Sequence, residues 1–75
     1  MFCYTAIGPN GTRLTAYIFN SGSLDPRYPV SLSIDCRYPN GSATRYADST
    51  HKTKAAALRR MRKLADNWED VTTYD

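Results

Sequence analysis

The sequence predicts an α+β fold of the form ββββα: two Asn-Gly β-hairpins make a four-stranded antiparallel sheet, and one C-terminal helix packs on one face. Three observations carry this. Pro-Asn-Gly-Thr at 9–12 returns as Pro-Asn-Gly-Ser at 39–42. Asn-Gly is the strongest short-range sign of a two-residue hairpin, because a type I′ turn needs positive φ at both central positions. Each copy lies between runs of alternating side chains, and the last third of the chain repeats its apolar residues at the helical period.

The first hairpin is expected over 2–19. With Asn10-Gly11 as a two-residue turn, Ile7 would face Leu14, Cys3 would face Ile18, and Tyr4 would face Tyr17. One side then becomes aliphatic, with Cys3, Ile7, Leu14, Ala16 and Ile18. The other becomes aromatic, with Phe2, Tyr4, Tyr17 and Phe19.

Residues 20–29 read as a connecting loop, since two prolines, a glycine and an Asp-Pro step suit no regular element. The second hairpin is expected over 30–49. Val30, Leu32, Ile34 and Cys36 alternate onto one face, joined by Ala43 and Ala47. Ser31, Ser33, Asp35, Arg37, Thr44, Tyr46 and Asp48 take the other. That is one buried and one wet face, the pattern of an antiparallel sheet covered on one side.

The helix is expected over 53–69, capped by the Thr53 hydroxyl, with Thr50 as the alternative cap. Ala57, Leu58, Met61, Leu64, Ala65 and Trp68 fall on one stripe, which needs the aliphatic sheet face to cover it. Residues 70–75 form a tail.

Seventy-five residues make a single domain near the lower limit for a self-sufficient core. Such a chain has little room for a deep catalytic cleft, so binding is the expected mode of action. No apolar run is long enough to span a membrane, and no basic start with an apolar region marks a secretory signal. The chain is expected to be complete, cytoplasmic and free of membrane partners. Cys3 and Cys36 are too few for a disulfide framework or a zinc site, and are expected to be small buried apolar residues. No cofactor or metal is expected.

Charge is unevenly distributed. Residues 52–63 hold Lys52, Lys54, Arg59, Arg60, Arg62 and Lys63 and no acid, whereas 64–75 hold Asp66, Glu69, Asp70 and Asp75 and no base. On a helix running to residue 69 this order opposes the macrodipole, and Arg59 and Lys63 form a like-charge i,i+4 pair. A solvated face explains such charge; so does an electropositive ridge for phosphate or an acidic protein patch, formed by Lys54, Arg59, Arg60, Arg62 and Lys63. The aromatic face, with Tyr4, Tyr17 and Phe19 and an extension to Tyr46 and Tyr28, has three uses: base stacking, anchoring a protein interface, or a homodimer seam. It can also simply stiffen the hairpin under the tail residues Val71 and Tyr74. Enzyme parts are scarce. His51 is the single histidine, and Asp48, Ser49 and His51 in that order are no triad signature. No Gly-rich phosphate loop or metal-ligand spacing occurs, so no enzyme is expected, and His51 reads as a solvent-facing loop residue.

Residues 34–68 run strand, Pro-Asn-Gly turn, strand, then Ser-Thr-His-Lys-Thr-Lys-Ala-Ala-Ala-Leu. This resembles the arm-type DNA-binding domain of phage integrases and its AP2-like relatives, over less than half the chain. The resemblance implies a sheet face that enters the DNA major groove, with Arg37, Thr44, Tyr46 and Asp48 at the matching positions. As architecture alone, a free-standing ββββα chain of this size is similar to small phage-encoded inhibitors of bacterial defence, including anti-CRISPR proteins. That similarity implies stoichiometric binding to a protein surface that handles nucleic acid, and assigns no residues.

The leading expectation is therefore a non-enzymatic phage-type protein that inhibits a host nucleic-acid-handling complex by protein contact. The alternative is a small DNA- or RNA-binding protein using the basic helix face or the exposed sheet face. A homodimer through the aromatic face is a third. The acids that follow the basic block argue mildly against a dedicated nucleic-acid binder.

Overall fold

The apolar alternation of residues 13–20 and 30–37 places these two segments at the centre of the sheet. The computed structural model describes residues 1–20 and 27–73. Strands β1 (Phe2–Ile7), β2 (Arg13–Asn20), β3 (Val30–Arg37) and β4 (Ala43–His51) are followed by helix α1 (Lys54–Leu64) and a short strand β5 (Glu69–Asp70). All neighbouring strands are antiparallel, in the spatial order β4-β3-β2-β1-β5. Helix α1 packs across β2, β3 and β4. The α+β architecture read from the sequence is the one observed, with β5 added at the edge. Most of the 20–29 loop, and Tyr74 in the tail, lie outside the described residues.

The core is Leu14, Ala16, Ile18, Val30, Leu32, Ile34 and Cys36 from the two central strands, Tyr4 and Ala6 from β1, and Ala57 and Met61 from the helix. Phe2, Leu58, Leu64 and Trp68 pack around it half-buried. Thr53 caps the helix as expected, its Oγ1 accepting from the Ala56 amide at 3.2 Å.

The first hairpin departs from the expected register by one residue. Phe2 faces Ile18, Tyr4 faces Ala16 and Ala6 faces Leu14. The turn itself has the anticipated dihedrals, with φ of +58° at Asn10 and +74° at Gly11. What differs is how it is closed. A two-residue hairpin needs residue 9 to donate its amide to Thr12, and proline has none. Gly8 donates to the Thr12 carbonyl instead, while the Thr12 amide and hydroxyl both bond the Pro9 carbonyl. Gly8 and Pro9 together oppose Thr12, so one extra residue enters and every β1 side chain changes face. The approach is close: a Cβ built on Gly8 would lie 2.5 Å from Thr12 Oγ1. The aromatic face is thereby overturned. Phe2 and Tyr4 go under the helix, Tyr17 and Phe19 stay outside, and Cys3 and Ile7 move from the expected core to the open face.

The second hairpin repeats the device. Tyr38 donates to Ser42, and Gly41 to the Tyr38 carbonyl. Positive φ occurs at Gly41 and not at Asn40. This is a three-residue loop with a glycine bulge rather than a type I′ turn. Here the shift is undone. Asp35 pairs with Arg45 but Ile34 pairs with Ala47, so Tyr46 is an extra, unpaired residue that restores the expected register. Only the stretch between turn and bulge is flipped: Ala43, expected in the core, faces Arg37, and Thr44, expected outside, faces Cys36.

The helix is shorter than expected. It stops at Leu64, Ala65 is extended (φ −158°, ψ 160°), and the Trp68 indole donates to the Met61 carbonyl at 2.8 Å. The Met61 carbonyl also accepts from the Ala65 amide at 3.3 Å, so the indole is its second donor and ties the returning chain to the helix end. Residues 69–72 then run along β1. Val71 donates to the Cys3 carbonyl, and the Cys3 amide donates to Thr72 Oγ1. The described part of the tail thus runs along the edge of β1.

Candidate functional site

Two surfaces face away from the core. The first is the outer side of α1. Arg59, Arg60, Arg62 and Lys63 are all exposed there. Because the helix ends at Leu64, Arg62 and Lys63 stand in its last turn, where the dipole favours cations, and Glu69 and Asp70 stand outside it. The inverted order is thereby corrected at the C-terminal end; at the N-terminal end it stands, with Lys54 the first helical residue and no acid in the first turn. Lys54 does not belong with this ridge. Its Nζ lies 3.4 Å from the centroid of the Phe2 ring, and it sits near Asp70. Asp70 is held below the usual carboxylate range chiefly by hydrogen bonds from the Thr72 hydroxyl and amide, with Lys54 adding to them.

The second surface is the sheet face opposite the helix, whose residues fall into cross-strand rows. Ile7, Arg13, Arg37 and Ala43 form the row nearest the turns. Next comes Glu69, Thr5, Thr15, Asp35 and Arg45. Cys3, Tyr17, Ser33 and Asp48 follow, and then Phe19, Ser31 and Thr50. Arg45 reaches Asp35 at 2.9 Å and Asp48 at 3.3 Å. These two acids are thus already partnered, while Glu69 stands exposed at the β5 edge. Tyr17 and Phe19 are half-buried, beside Ser33 and Ser31 at the centre.

The residues singled out from the sequence are therefore split. Arg59, Arg60, Arg62 and Lys63 come together on the helix. Tyr17, Phe19 and Arg37 share the open sheet face, but Arg37 lies two rows from Tyr17 and three from Phe19, so they are not brought together. Tyr4 is in the core, Lys54 is engaged with Phe2, and Tyr46 occupies the bulge of β4. Of the four positions matched to the integrase-arm pattern, Arg37 and Asp48 lie on the open face, Thr44 faces Cys36, and Tyr46 has no cross-strand partner. Arg13 went unnoticed in the sequence. Its signal was the alternation Arg13, Thr15, Tyr17, Phe19 along one strand, but its pairing with Arg37 depends on β2 meeting β3.

His51 is not a loop residue. It ends β4, faces Val30, and its Nε2 lies 2.8 Å from Ser49 Oγ. Burial, and then the charge of Arg60, lower its pKa from the ordinary 6.5. A serine and a histidine in contact are two parts of a nucleophilic site, but a depressed pKa weakens the base, and no carboxylate among the described residues orients the ring. Among the described residues no group of three or more His, Cys, Asp or Glu is placed to hold a metal ion. No helix among them is long and apolar enough to cross a membrane.

No family model, curated protein or solved structure matches this chain.

Proposed function

We propose that this chain is a non-enzymatic binding protein that acts by contact on a host complex handling nucleic acid, with the outer side of α1 as its working surface. The observation that carries this reading is the ridge of Arg59, Arg60, Arg62 and Lys63, four exposed cations within five residues on one short helix. A rigid helix carrying such charge fits an anionic groove, because complementary potential steers encounter and fixes register. The reading draws on the likeness in size and ββββα order to small phage-encoded inhibitors of bacterial defence, including anti-CRISPR proteins, and includes action in a host cytoplasm. Direct binding of DNA or RNA is the second reading, favoured by the same ridge together with the half-exposed rings of Tyr17 and Phe19.

One experiment separates them. The purified protein is mixed with a short DNA duplex and with RNA at moderate salt, and separately used to capture partners from nuclease-treated bacterial lysate. Protein contact requires nuclease-resistant capture of a nucleic-acid-handling complex, lost when Arg59, Arg60 and Lys63 are replaced by glutamate. Retardation of the duplex by pure protein, falling with salt at a log–log slope of roughly −0.9 per phosphate contacted and lost in the same variant, moves the assignment to the second reading. Neither result in any arm removes the ridge as a working surface.

A further inference from the structure

At the turn end of the open sheet face, on the side away from α1, lies a groove of about 410 Å³. Arg13 and Arg37 form its base, directly opposite one another on β2 and β3 and both exposed. Thr5 and Thr15, a facing pair in the next row, extend it, and Tyr38 and Pro39 form a wall. Gly11 closes the end: a Cβ built there would lie 4.0 Å from the Pro39 ring, so the two Pro-Asn-Gly turns meet at this point. The lining holds two guanidinium groups, three hydroxyls and no carboxylate.

Like charges placed directly opposite on neighbouring strands destabilise a sheet. One row away the same fold solves this problem, giving Arg45 both Asp35 and Asp48. Arg13 and Arg37 have no hydrogen-bond or ion-pair partner among the described residues. An oxyanion between them would relieve the repulsion, and two guanidinium forks match the geometry of a phosphate. The groove is larger than a phosphate needs and falls within the range of small-molecule sites. Tyr38, 42% exposed, presents a ring at its side.

We propose that this groove binds a nucleoside phosphate, its phosphate held between Arg13 and Arg37 and its base against Tyr38. The site is independent of the helix ridge, which lies across the sheet. A free mononucleotide and the 5′ end of a single strand share this chemistry.

The test is an NMR titration of the isotope-labelled protein at low salt with three probes: adenosine monophosphate, hexathymidylate carrying a 5′-phosphate, and hexathymidylate without one. Perturbation should centre on the Arg13 and Arg37 side chains and on Thr5, Thr15 and Tyr38. Saturation by adenosine monophosphate identifies a free mononucleotide as ligand; saturation by the 5′-phosphorylated strand alone identifies a strand end. Replacing Arg13 and Arg37 together by Gln should weaken binding about tenfold or more. The melting temperature should hold or rise, since the repulsion is gone, so lost binding is not lost folding; Arg37→Gln alone should shift both readouts the same way. Lys52→Gln, at an exposed lysine outside both surfaces, should leave the groove's response unchanged. The proposal is overturned if no probe perturbs these residues by about 1 mM, if the Arg13/Arg37 variant binds as tightly as the parent, or if the perturbations fall on α1 instead.

Discussion

The amide of Gly8 donates to the carbonyl of Thr12 at 2.8 Å, in the place where Pro9 has no hydrogen to offer. This bond decides which half of β1 is buried. With it, Tyr4 and Ala6 line the core, while Cys3, Thr5 and Ile7 look outward. The two-residue closure would reverse both sets.

The register has a direct mutational signature. Tyr4→Ala should cost about 3 kcal/mol, in line with truncation of large buried rings. Ile7→Ala should stay within about 0.5 kcal/mol, because that side chain is 58% exposed. Urea denaturation of both variants is the measurement. A larger loss at Ile7 than at Tyr4 would restore the expected register.

Gly41 should tolerate no β-branched residue. Its φ is +91°, and a Cβ there meets nothing within 4 Å, so any cost is backbone strain rather than a clash. Gly41→Val should lose about 1–2 kcal/mol or more, and Gly41→Asn distinctly less, since asparagine visits this region more readily. Equal melting temperatures for the parent and the valine variant would be incompatible with the bulged turn.

The end of α1 rests on Trp68. Trp68→Phe keeps most of the apolar contact but removes the donor to Met61, which should cost about 1 kcal/mol. Faster amide exchange in the last turn should accompany the loss. Met61→Ala, at a site only 2% exposed, should cost about 2–5 kcal/mol; Leu64→Ala, half-buried, should cost less. Arg59→Ala should be near neutral, as it relieves the repulsion with Lys63. Comparable losses at Leu64 and Arg59 would mean that the helix is rotated.

His51 makes stability depend on pH in a defined direction. Burial first, and Arg60 second, lower its pKa below 6.5. The unfolded chain therefore takes up the proton at a higher pH than the folded one. The contribution is fully present above about pH 6.5 and diminishes as pH falls from there towards the folded value. Thermal melts at about pH 7.5 and pH 5.5 should show a drop in the parent that is smaller in His51→Gln. An identical drop in both would assign the effect to other groups.

Much of this architecture could be read locally. The apolar alternation of β3, the Thr53 cap and the Met61 stripe act through neighbours within a few residues, and all three are observed as expected. The exposed ridge from Arg59 to Lys63 was legible for the same reason, since a helix face follows from spacing alone. Tyr4, by contrast, could not be assigned to the core, because its face depends on a proline five residues later and on which side α1 covers. Trp68 ends the helix through a bond to Met61, so the boundary lay in a contact rather than in a propensity. β5 exists because β1 offers it an edge, and two charged residues, Glu69 and Asp70, would not be recognised as a strand by pattern.

What the sequence by itself determined is the number and type of the main elements, the positions of the two turns though not their closure, and the helix face that stays in water. Their causes are short-range: dihedral preferences of Asn-Gly, the period of apolar side chains, and a hydroxyl next to free amides. The tertiary structure alone decided the faces of β1, the bulge at Tyr46, the return of the chain along β1, and the meeting of Arg13 with Arg37. Each of these depends on hydrogen bonds or pairings between segments distant in sequence. A single missing amide at Pro9 is enough to exchange the faces of β1, because a strand has a period of two and a shift of one residue turns it over.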